Sequence, residues 1–163
     1  MTELSGLLPA AGRIVRLCSE RRLRVAAAES CTGGLVAAAI TEIAGASAVF
    51  DRGFVTYSDL AKAQMLGVDA NLIHRLGAVS VEVAAAMAAG ALTYSSADIV
   101  VAVTGIAGPG GGSVEKPVGL VHFAAQRRGG AGLARTEVFP DTGRSAVRLA
   151  AAAVALELIE ELI

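Results

Sequence analysis

Residues 98–103 (DIVVAV) restrict the possible folds of this chain more than any other segment. After Asp98 they form a continuous apolar run rich in β-branched side chains, which is typical of a central strand covered on both faces. Such a strand needs a packed layer above and below its sheet, and in an α/β protein helices provide both layers. The segment therefore predicts a buried sheet between two helical layers.

Helical and extended patterns alternate along the rest of the chain. Helices are predicted over residues 5–22, from a cap at Thr32 to Gly45, and over 60–66, 69–76, 80–94 and 142–163. Strands are predicted over residues 23–28, 49–57, 98–103, 118–126 and 133–139, the last two as an antiparallel hairpin. The predicted fold is α/β, a three-layer α/β/α sandwich with a mixed, mostly parallel sheet, in one domain over residues 1–163.

Composition excludes several classes of function. Hydrophobic residues make up 54% and charged residues 18%, as in globular proteins. A net charge of −1, 4% aromatic residues and no Trp argue against a basic nucleic-acid binder or a base-stacking surface. No uncharged run approaches the roughly 20 residues of a membrane-spanning helix, and acidic Glu3 does not fit a signal peptide. We expect a cytoplasmic protein that binds neither nucleic acid nor membrane.

The first candidate site is the loop over residues 28–34 (AESCTGG), between a predicted strand and a predicted helix. Paired glycines let a ligand approach the backbone, and N–H groups at a helix N-terminus can bind an anion or a developing oxyanion. The hydroxyl of Ser30 would be placed there for nucleophilic attack. The alternative is that Ser30 or Thr32 only caps the helix.

The second candidate site is the glycine-rich loop over residues 104–113 (TGIAGPGGGS). It follows the central strand, so it is expected at the same edge of the sheet as the first loop. Loops of this length inside a compact domain are usually functional. No Gly-Lys-Ser/Thr follows, as in a P-loop, and no helix begins there, as in a dinucleotide fingerprint. The alternative is a surface excursion that ends at Pro117.

A serine nucleophile needs a base, and lysine is the better candidate here. His74 lies in an exposed-looking helix, and His122 lies in a strand without an obvious carboxylate partner, so a Ser-His-Asp triad has little support. The only lysines are Lys62 and Lys116. A desolvated lysine can act as a base, whereas arginine cannot. Lys62 follows the second strand by one helical turn, with Tyr57 at the strand's end; the alternative for Lys62 is a solvated helix charge.

Two arginines and two cysteines complete the candidates. Arg144 and Arg148 lie four residues apart at the start of the last helix, where guanidinium groups suit a phosphate or a carboxylate. A solvated helix face is the alternative.

Cys18 and Cys31 are too few for a zinc site, and we expect both to be reduced thiols.

This chain resembles the CinA C-terminal domain family in four segments: AAAESCTGGLVAAAIT, GASAVFDRGFVTYSDLAKAQMLGV, GAVS and VTGIAGPGGGSVEKPVG. The likeness runs in register from about Leu23 to Gly119, and the last helix is also similar. The family fold is a three-layer α/β/α sandwich, and its members include nicotinamide-nucleotide amidohydrolase. The resemblance implies hydrolysis of nicotinamide mononucleotide (NMN) to nicotinate mononucleotide and ammonia in pyridine nucleotide salvage. It further implies no metal, no cofactor, a homo-oligomer and the stand-alone form, without the molybdopterin-binding-like domain that many members carry.

Carried over by position, the resemblance implies that Ser30 is the nucleophile, that Lys62 is its general base and that Tyr57 assists the proton transfer. The predicted substrate-binding residues are Thr32, Gly33, Gly34, Thr104, Gly105 and Arg144. Where the family usually has Gly-Asp-Arg before the last helix, this chain reads Asp-Thr-Gly-Arg. The alternatives are a non-catalytic nucleotide-binding module with the same fold and an amidase for a different pyridine or phosphorylated amide.

Overall fold

The computed structural model describes residues 3–163 and contains a five-stranded sheet with helices on both faces. The strands are β1 (Val25–Glu29), β2 (Phe50–Val55), β3 (Ile99–Gly105), β4 (Leu120–Arg127) and β5 (Gly132–Val138). The helices are α1 (Leu8–Arg21), α2 (Leu35–Thr41), α3 (Asp59–Leu66), α4 (Ala70–Leu76), α5 (Val81–Thr93) and α6 (Arg144–Glu161). Two 3₁₀ turns, Glu3–Gly6 and Ala46–Ala48, precede α1 and β2. In the described part of the chain, no helix has the length and apolarity needed to cross a bilayer.

The sheet has the strand order β2-β1-β3-β4-β5. β1 pairs in parallel with both β2 and β3, whereas β4 is antiparallel to β3 and to β5. Four of the five strands therefore point the same way, and the predicted mixed, mostly parallel sheet with its hairpin is confirmed. Glu29 at the end of β1 lies opposite Val55 of β2 and Val103 of β3. The carboxyl ends of three strands thus meet at one edge, where α/β sheets bind ligands.

Alternate residues of the central strands face two separate apolar cores. Val101 and Val103 of β3 pack into a core with α1, α2 and α6, whereas Val100 and Ala102 pack into a core with α3, α4 and α5. The strand is buried on both faces, as its apolar run predicts. The three-layer α/β/α arrangement is confirmed.

Side-chain capping explains where α3, α4 and α5 begin. Ser58 caps α3 by accepting a hydrogen bond from the N–H of Ala61 at 3.0 Å, and Ser80 caps α5 in the same way. The start of α2 differs from the prediction. Its N-cap is Gly34, with a left-handed φ of 100°, so the predicted cap at Thr32 is wrong. The helix also ends at Thr41, before the predicted stop at Gly45, and a short turn follows.

Close packing of α3 on α5 depends on Gly90. A Cβ atom at Gly90 would lie 2.0 Å from the carbonyl oxygen of Leu66 and 2.9 Å from its Cβ atom. No side chain fits between the two helices at this point. α3 also carries Lys62, so this contact helps to position that lysine.

We predict that Gly90→Ala lowers the free energy of unfolding by about 2 kcal/mol, because the added methyl group forces α3 away from α5. Gly12→Ala is the matched control, since Gly12 lies in α1 with open space around it and alanine is the better helix former. Urea unfolding of the two variants measures the difference. Equal stability of both variants would contradict the packing argument.

Candidate active site

A cavity of about 270 Å³ opens at the carboxyl edge of the parallel strands. Its walls come from the loop after β1, the connection from β2 into α3, the segment before α5, the glycine-rich loop after β3 and the first residue of α6. Six of the predicted site residues line it: Ser30, Tyr57, Lys62, Thr104, Gly105 and Arg144. The fold therefore brings together residues that lie up to 114 positions apart in the sequence.

Ser30 and Lys62 form a hydrogen-bonded pair in this cavity. The Nζ atom of Lys62 lies 2.9 Å from the Oγ atom of Ser30 and 2.9 Å from the carbonyl oxygen of Thr56. The backbone of Ser30 is held by a hydrogen bond from its N–H to the carbonyl of Val103 at 3.0 Å. Ser30 therefore does not cap α2, and Lys62 is not a solvated helix charge.

The surroundings of Lys62 act on the protonation of its amine in two directions. Only 1% of the residue is exposed, and this burial lowers the pKa of Lys62 below its ordinary value. The negative charge of Asp59, which also lines the cavity, acts in the opposite direction. A neutral amine can donate a hydrogen bond to Thr56 and accept one from the hydroxyl of Ser30. The pair has the geometry of a nucleophile and its base.

Tyr57 contacts Arg144 rather than Lys62. Its hydroxyl accepts a hydrogen bond from Nη2 of Arg144 at 2.6 Å, and Nη1 of the same guanidinium donates to the carbonyl of Gly108 at 2.8 Å. Tyr57 is 59% exposed, so this pair lies at the mouth of the cavity. Arg144 joins the connection after β2 to the glycine-rich loop. A role for Tyr57 in proton transfer stays a prediction.

Thr104 and Lys116 hold the segment before α5 against the glycine-rich loop. The hydroxyl of Thr104 donates to the carbonyl of Ala78 at 2.7 Å. The Nζ atom of Lys116 donates to the carbonyls of Leu76 and Val79 at 2.6 and 2.8 Å. Ala78 and Val79 form one wall of the cavity, so both side chains stabilise the shape of the site.

Thr32, Gly33 and Gly34 lie beside the cavity but do not line it. Thr32 is fully buried, and its hydroxyl has no hydrogen-bond partner among the residues that the structure describes. Arg148 covers this side of the loop, because its guanidinium donates to the carbonyls of Cys31 and Thr32 at 3.1 and 2.9 Å. Arg148 therefore stabilises the loop, and substrate binding by the three predicted residues stays a prediction.

Glu29 lies directly before Ser30, and the sequence analysis assigned it no role. It is fully buried, and its carboxylate accepts hydrogen bonds from the N–H groups of Gly34, Val36 and Ala37 at 3.0, 3.1 and 2.9 Å. These three groups lie at the start of α2, so Glu29, rather than an external anion, is their acceptor in this structure. The only signal in the sequence is an acidic residue at the end of the apolar run VAAAE.

The N–H of Cys31 remains available beside the nucleophile. It donates to no carbonyl or carboxylate among residues 3–163, and Cys31 lines the cavity directly after Ser30. The thiol of Cys31 is buried, and burial raises its pKa to about 11. At neutral pH this group is a thiol and not a nucleophilic thiolate. Cys18 is also a buried free cysteine, with its pKa raised to about 11 by burial.

Metal-binding clusters are absent from the part of the chain that the structure describes: no three His, Cys, Asp or Glu side chains are grouped to hold an ion. His74 lies exposed on α4. His122 lies on β4, where its Nδ1 atom is 2.8 Å from the Oγ1 atom of Thr136. Neither histidine lines the cavity around Ser30.

A comparison with known families identifies the fold. The model of the CinA C-terminal domain matches residues 8–163. The chain belongs to the CinA C-terminal domain family. It is 50% identical over 155 residues to nicotinamide-nucleotide amidohydrolase PncC of Escherichia coli (strain K12), covering 95% of this chain and 93% of that protein. It is also 59% identical over 112 residues to a CinA-like protein of Akkermansia muciniphila. That match covers 69% of this chain but only 27% of the longer relative.

Solved structures of the CinA family agree with this assignment. The competence/damage inducible protein CihA from Agrobacterium tumefaciens superposes with a TM-score of 0.94 at 53% identity, covering 96% of this chain and 94% of that chain. A CinA superfamily protein from Escherichia coli gives a TM-score of 0.91 at 32% identity, covering 100% of this chain and 94% of that chain. The α/β/α sandwich of this CinA domain is therefore a fold already observed in its relatives.

We predict that Lys62→Met raises the free energy of unfolding of this CinA domain at pH 7 by about 1 kcal/mol. The pKa of Lys62 is lower in the folded than in the unfolded chain, so protonation favours unfolding below the unfolded value of about 10.4. The gain should shrink as the pH rises towards that value. Urea unfolding at pH 7 and pH 10 measures both effects.

Lys116→Met is the control for this experiment. Lys116 is only partly buried and donates to two carbonyls, so its loss should lower stability. A Lys62→Met variant that is less stable than the unmodified protein at pH 7 would contradict the destabilising effect of burying this amine.

Proposed function

We propose that this protein hydrolyses the amide of NMN to nicotinate mononucleotide and ammonia, in pyridine nucleotide salvage, with Ser30 as nucleophile and Lys62 as general base. The observation that carries the proposal is the buried amine of Lys62 at 2.9 Å from the Oγ atom of Ser30. The relative named nicotinamide-nucleotide amidohydrolase, half identical to this chain over nearly its whole length, supports the choice of substrate.

The first half of the reaction transfers the acyl group to Ser30. The Oγ atom of Ser30 attacks the carboxamide carbon while Lys62 takes the hydroxyl proton. The tetrahedral oxyanion that forms is stabilised by the N–H of Cys31, which donates to no carbonyl or carboxylate within residues 3–163. The C–N bond then breaks, and Lys62 gives its proton to the leaving nitrogen, which departs as ammonia. Ser30 is left as an ester.

The second half of the reaction releases the acid. A water molecule attacks the ester carbon while Lys62 takes one of its protons. The ester bond breaks, the proton returns to the Oγ atom of Ser30, and nicotinate mononucleotide leaves. Because Lys62 begins and ends each half as a neutral amine, its lowered pKa suits the task.

Arg144 is the candidate contact for the phosphate of NMN. It and Lys62 are the basic side chains that line the cavity in the described part of the chain, and Lys62 is engaged with Ser30. The guanidinium of Arg144 matches a phosphate group in charge and in donor geometry. The glycine-rich loop, which Arg144 contacts through the carbonyl of Gly108, allows the substrate to approach the backbone.

The alternative function is a nucleotide-binding module without catalysis. Burial of Lys62 favours the enzyme, because a binder gains nothing from an amine held away from water against a serine hydroxyl. A panel of NMN, nicotinamide riboside, nicotinamide and NAD, followed by mass spectrometry of the products, separates these functions and an amidase for another pyridine. NMN binding without ammonia release would favour the module.

We also propose a domain organisation, an oligomeric state and a cellular location for this activity. Residues 1–163 act as one domain, the protein is a homo-oligomer, and it works in the cytoplasm without a metal or another cofactor. Thr32, Gly33, Gly34, Thr104 and Gly105 take part in substrate binding, directly or through the two loops that they shape.

We predict that Ser30→Ala and Lys62→Ala each lower ammonia release from NMN by at least about 10³-fold, because each removes one half of the pair. Ser19→Ala, which changes an exposed serine on α1, is the matched control and should keep full activity. Circular dichroism shows whether each variant is folded. A folded Ser30→Ala variant with normal activity would exclude Ser30 as the nucleophile.

We predict that Asp59→Asn moves the acid limb of the kcat/KM profile for NMN to lower pH. Asp59 raises the pKa of Lys62, so removing its charge lets the amine lose its proton at lower pH. Asp69→Asn, at the cap of α4 and outside the cavity lining, is the control and should leave the limb in place. A shift to higher pH in Asp59→Asn contradicts the assignment of that limb to Lys62.

A further inference from the structure

We infer that Glu29 is a positioning residue for the reaction: its carboxylate binds the start of α2 and thereby holds Ser30 and the N–H of Cys31 in place. The inference rests on the function proposed above, since it takes Ser30 as the nucleophile. It adds a residue that neither the motif analysis nor the cavity lining identifies.

The contacts of Glu29 are of an unusual kind for a buried acid. It forms no ion pair among residues 3–163, and its carboxylate is satisfied by three backbone N–H groups, two on Oε2 and one on Oε1. Backbone donors stabilise a carboxylate where water is excluded, and the helix dipole adds to this. Both oxygens are used, so the side chain has one orientation.

The backbone of Glu29 is held as firmly as its side chain. Its carbonyl accepts a hydrogen bond from the N–H of Thr56 at 2.8 Å, and the next residue, Ser30, donates to the carbonyl of Val103 at 3.0 Å. Glu29 therefore connects the end of a central strand to the start of α2. The loop between the end of β1 and the start of α2 contains Ser30 and Cys31. Glu29 holds one end of this loop through its backbone and the other end through its carboxylate.

The hydrogen bonds to Glu29 also determine which backbone N–H groups are available to bind the substrate. The donors of Gly34, Val36 and Ala37 are bound to Glu29, whereas the N–H of Cys31 beside the nucleophile is left without a carbonyl or carboxylate acceptor in the described chain. A negative charge at the start of α2 also disfavours binding of the substrate phosphate there. The phosphate is thereby directed towards Arg144, and the carboxamide towards Ser30.

Replacement by glutamine tests the carboxylate itself. The amide of glutamine keeps one acceptor oxygen, but its NH₂ group faces a backbone N–H, and two donors cannot bind each other. Aspartate keeps the charge and both oxygens on a side chain that is one methylene shorter. The two variants separate the role of the carboxylate from the role of side-chain length.

The experiment compares Glu29→Gln, Glu29→Asp and Asp51→Asn by kcat and KM for NMN at a temperature well below unfolding. Asp51 is the matched control: its carboxylate is 6% exposed and accepts a backbone N–H from Ser96, but it lies at the opposite end of the sheet. We expect Glu29→Gln to lower kcat by about 10²-fold with KM changed less than about threefold, because a displaced nucleophile slows chemistry rather than binding. Glu29→Asp should recover part of kcat, and Asp51→Asn should lose stability only.

Two results overturn the inference. One is a folded Glu29→Gln variant with normal kcat, and the other is a glutamine variant that is more active than the aspartate variant. If Glu29→Gln does not fold, the aspartate variant decides: a kcat equal to that of the unmodified protein overturns the inference, and a reduced kcat at unchanged KM supports it.

A second readout does not depend on NMN. A small fluorophosphonate reacts with activated serines, and mass spectrometry of the labelled peptides measures its rate at Ser30. We expect Glu29→Gln to lower this rate by at least tenfold relative to Asp51→Asn. If Ser30 is labelled but NMN is not hydrolysed, the proposed function fails while the labelling rates still decide the role of Glu29. If Ser30 of the unmodified protein is not labelled and NMN is not hydrolysed, both proposals are overturned.

Discussion

The hydrogen bond between the buried amine of Lys62 and the hydroxyl of Ser30 is the interaction around which the candidate active site is built. An amine removed from water needs polar partners, and the fold supplies the carbonyl of Thr56 as the second one. Ser30 follows β1, and Lys62 lies on the first turn of α3 after β2, so the parallel pairing of these strands brings the two together. The close contact of α3 with α5 at Gly90 also helps to position α3 and its lysine.

Charged side chains hold the loops around this pair by binding backbone groups. Glu29 binds three N–H groups at the start of α2, Arg148 binds two carbonyls of the loop after β1, and Lys116 binds two carbonyls of the segment before α5. The loops themselves are rich in glycine and small residues, which provide little side-chain packing of their own. Long charged side chains from neighbouring elements replace that packing. The site is thereby preorganised before a substrate enters.

Much of the fold follows from local patterns in the sequence. The apolar run over residues 98–103 predicts a strand buried on both faces, and serines ahead of apolar segments predict the starts of α3 and α5. The sequence also offers Ser30 and Lys62 as candidates, as a serine in a strand-to-helix loop and a rare lysine after the next strand, but the local pattern leaves a helix cap and a solvated charge open, and only the family resemblance implies a role for each. The fold places them within one hydrogen bond of each other.

Other features depend on three-dimensional contacts that no local pattern contains. Thr32 is a good capping residue, but the backbone turns at Gly33 and Gly34, so its side chain is buried and the carboxylate of Glu29 reaches the helix first. A single acidic residue in the sequence does not reveal which N–H groups it will meet. Arg144 and Arg148 look equivalent in sequence, yet the first reaches the cavity and the second binds the loop beside it.

The most direct test of the account is the titration of Lys62. The chain has only two lysines, so a protein labelled with ¹⁵N at the lysine Nζ atoms gives two side-chain signals, and loss of one in Lys62→Met assigns them. The account predicts that the signal of Lys62 titrates below the ordinary lysine pKa of about 10.4 and that its titration moves to lower pH in Asp59→Asn. A Lys62 signal that titrates at or above the ordinary value would contradict a neutral amine acting as base for Ser30.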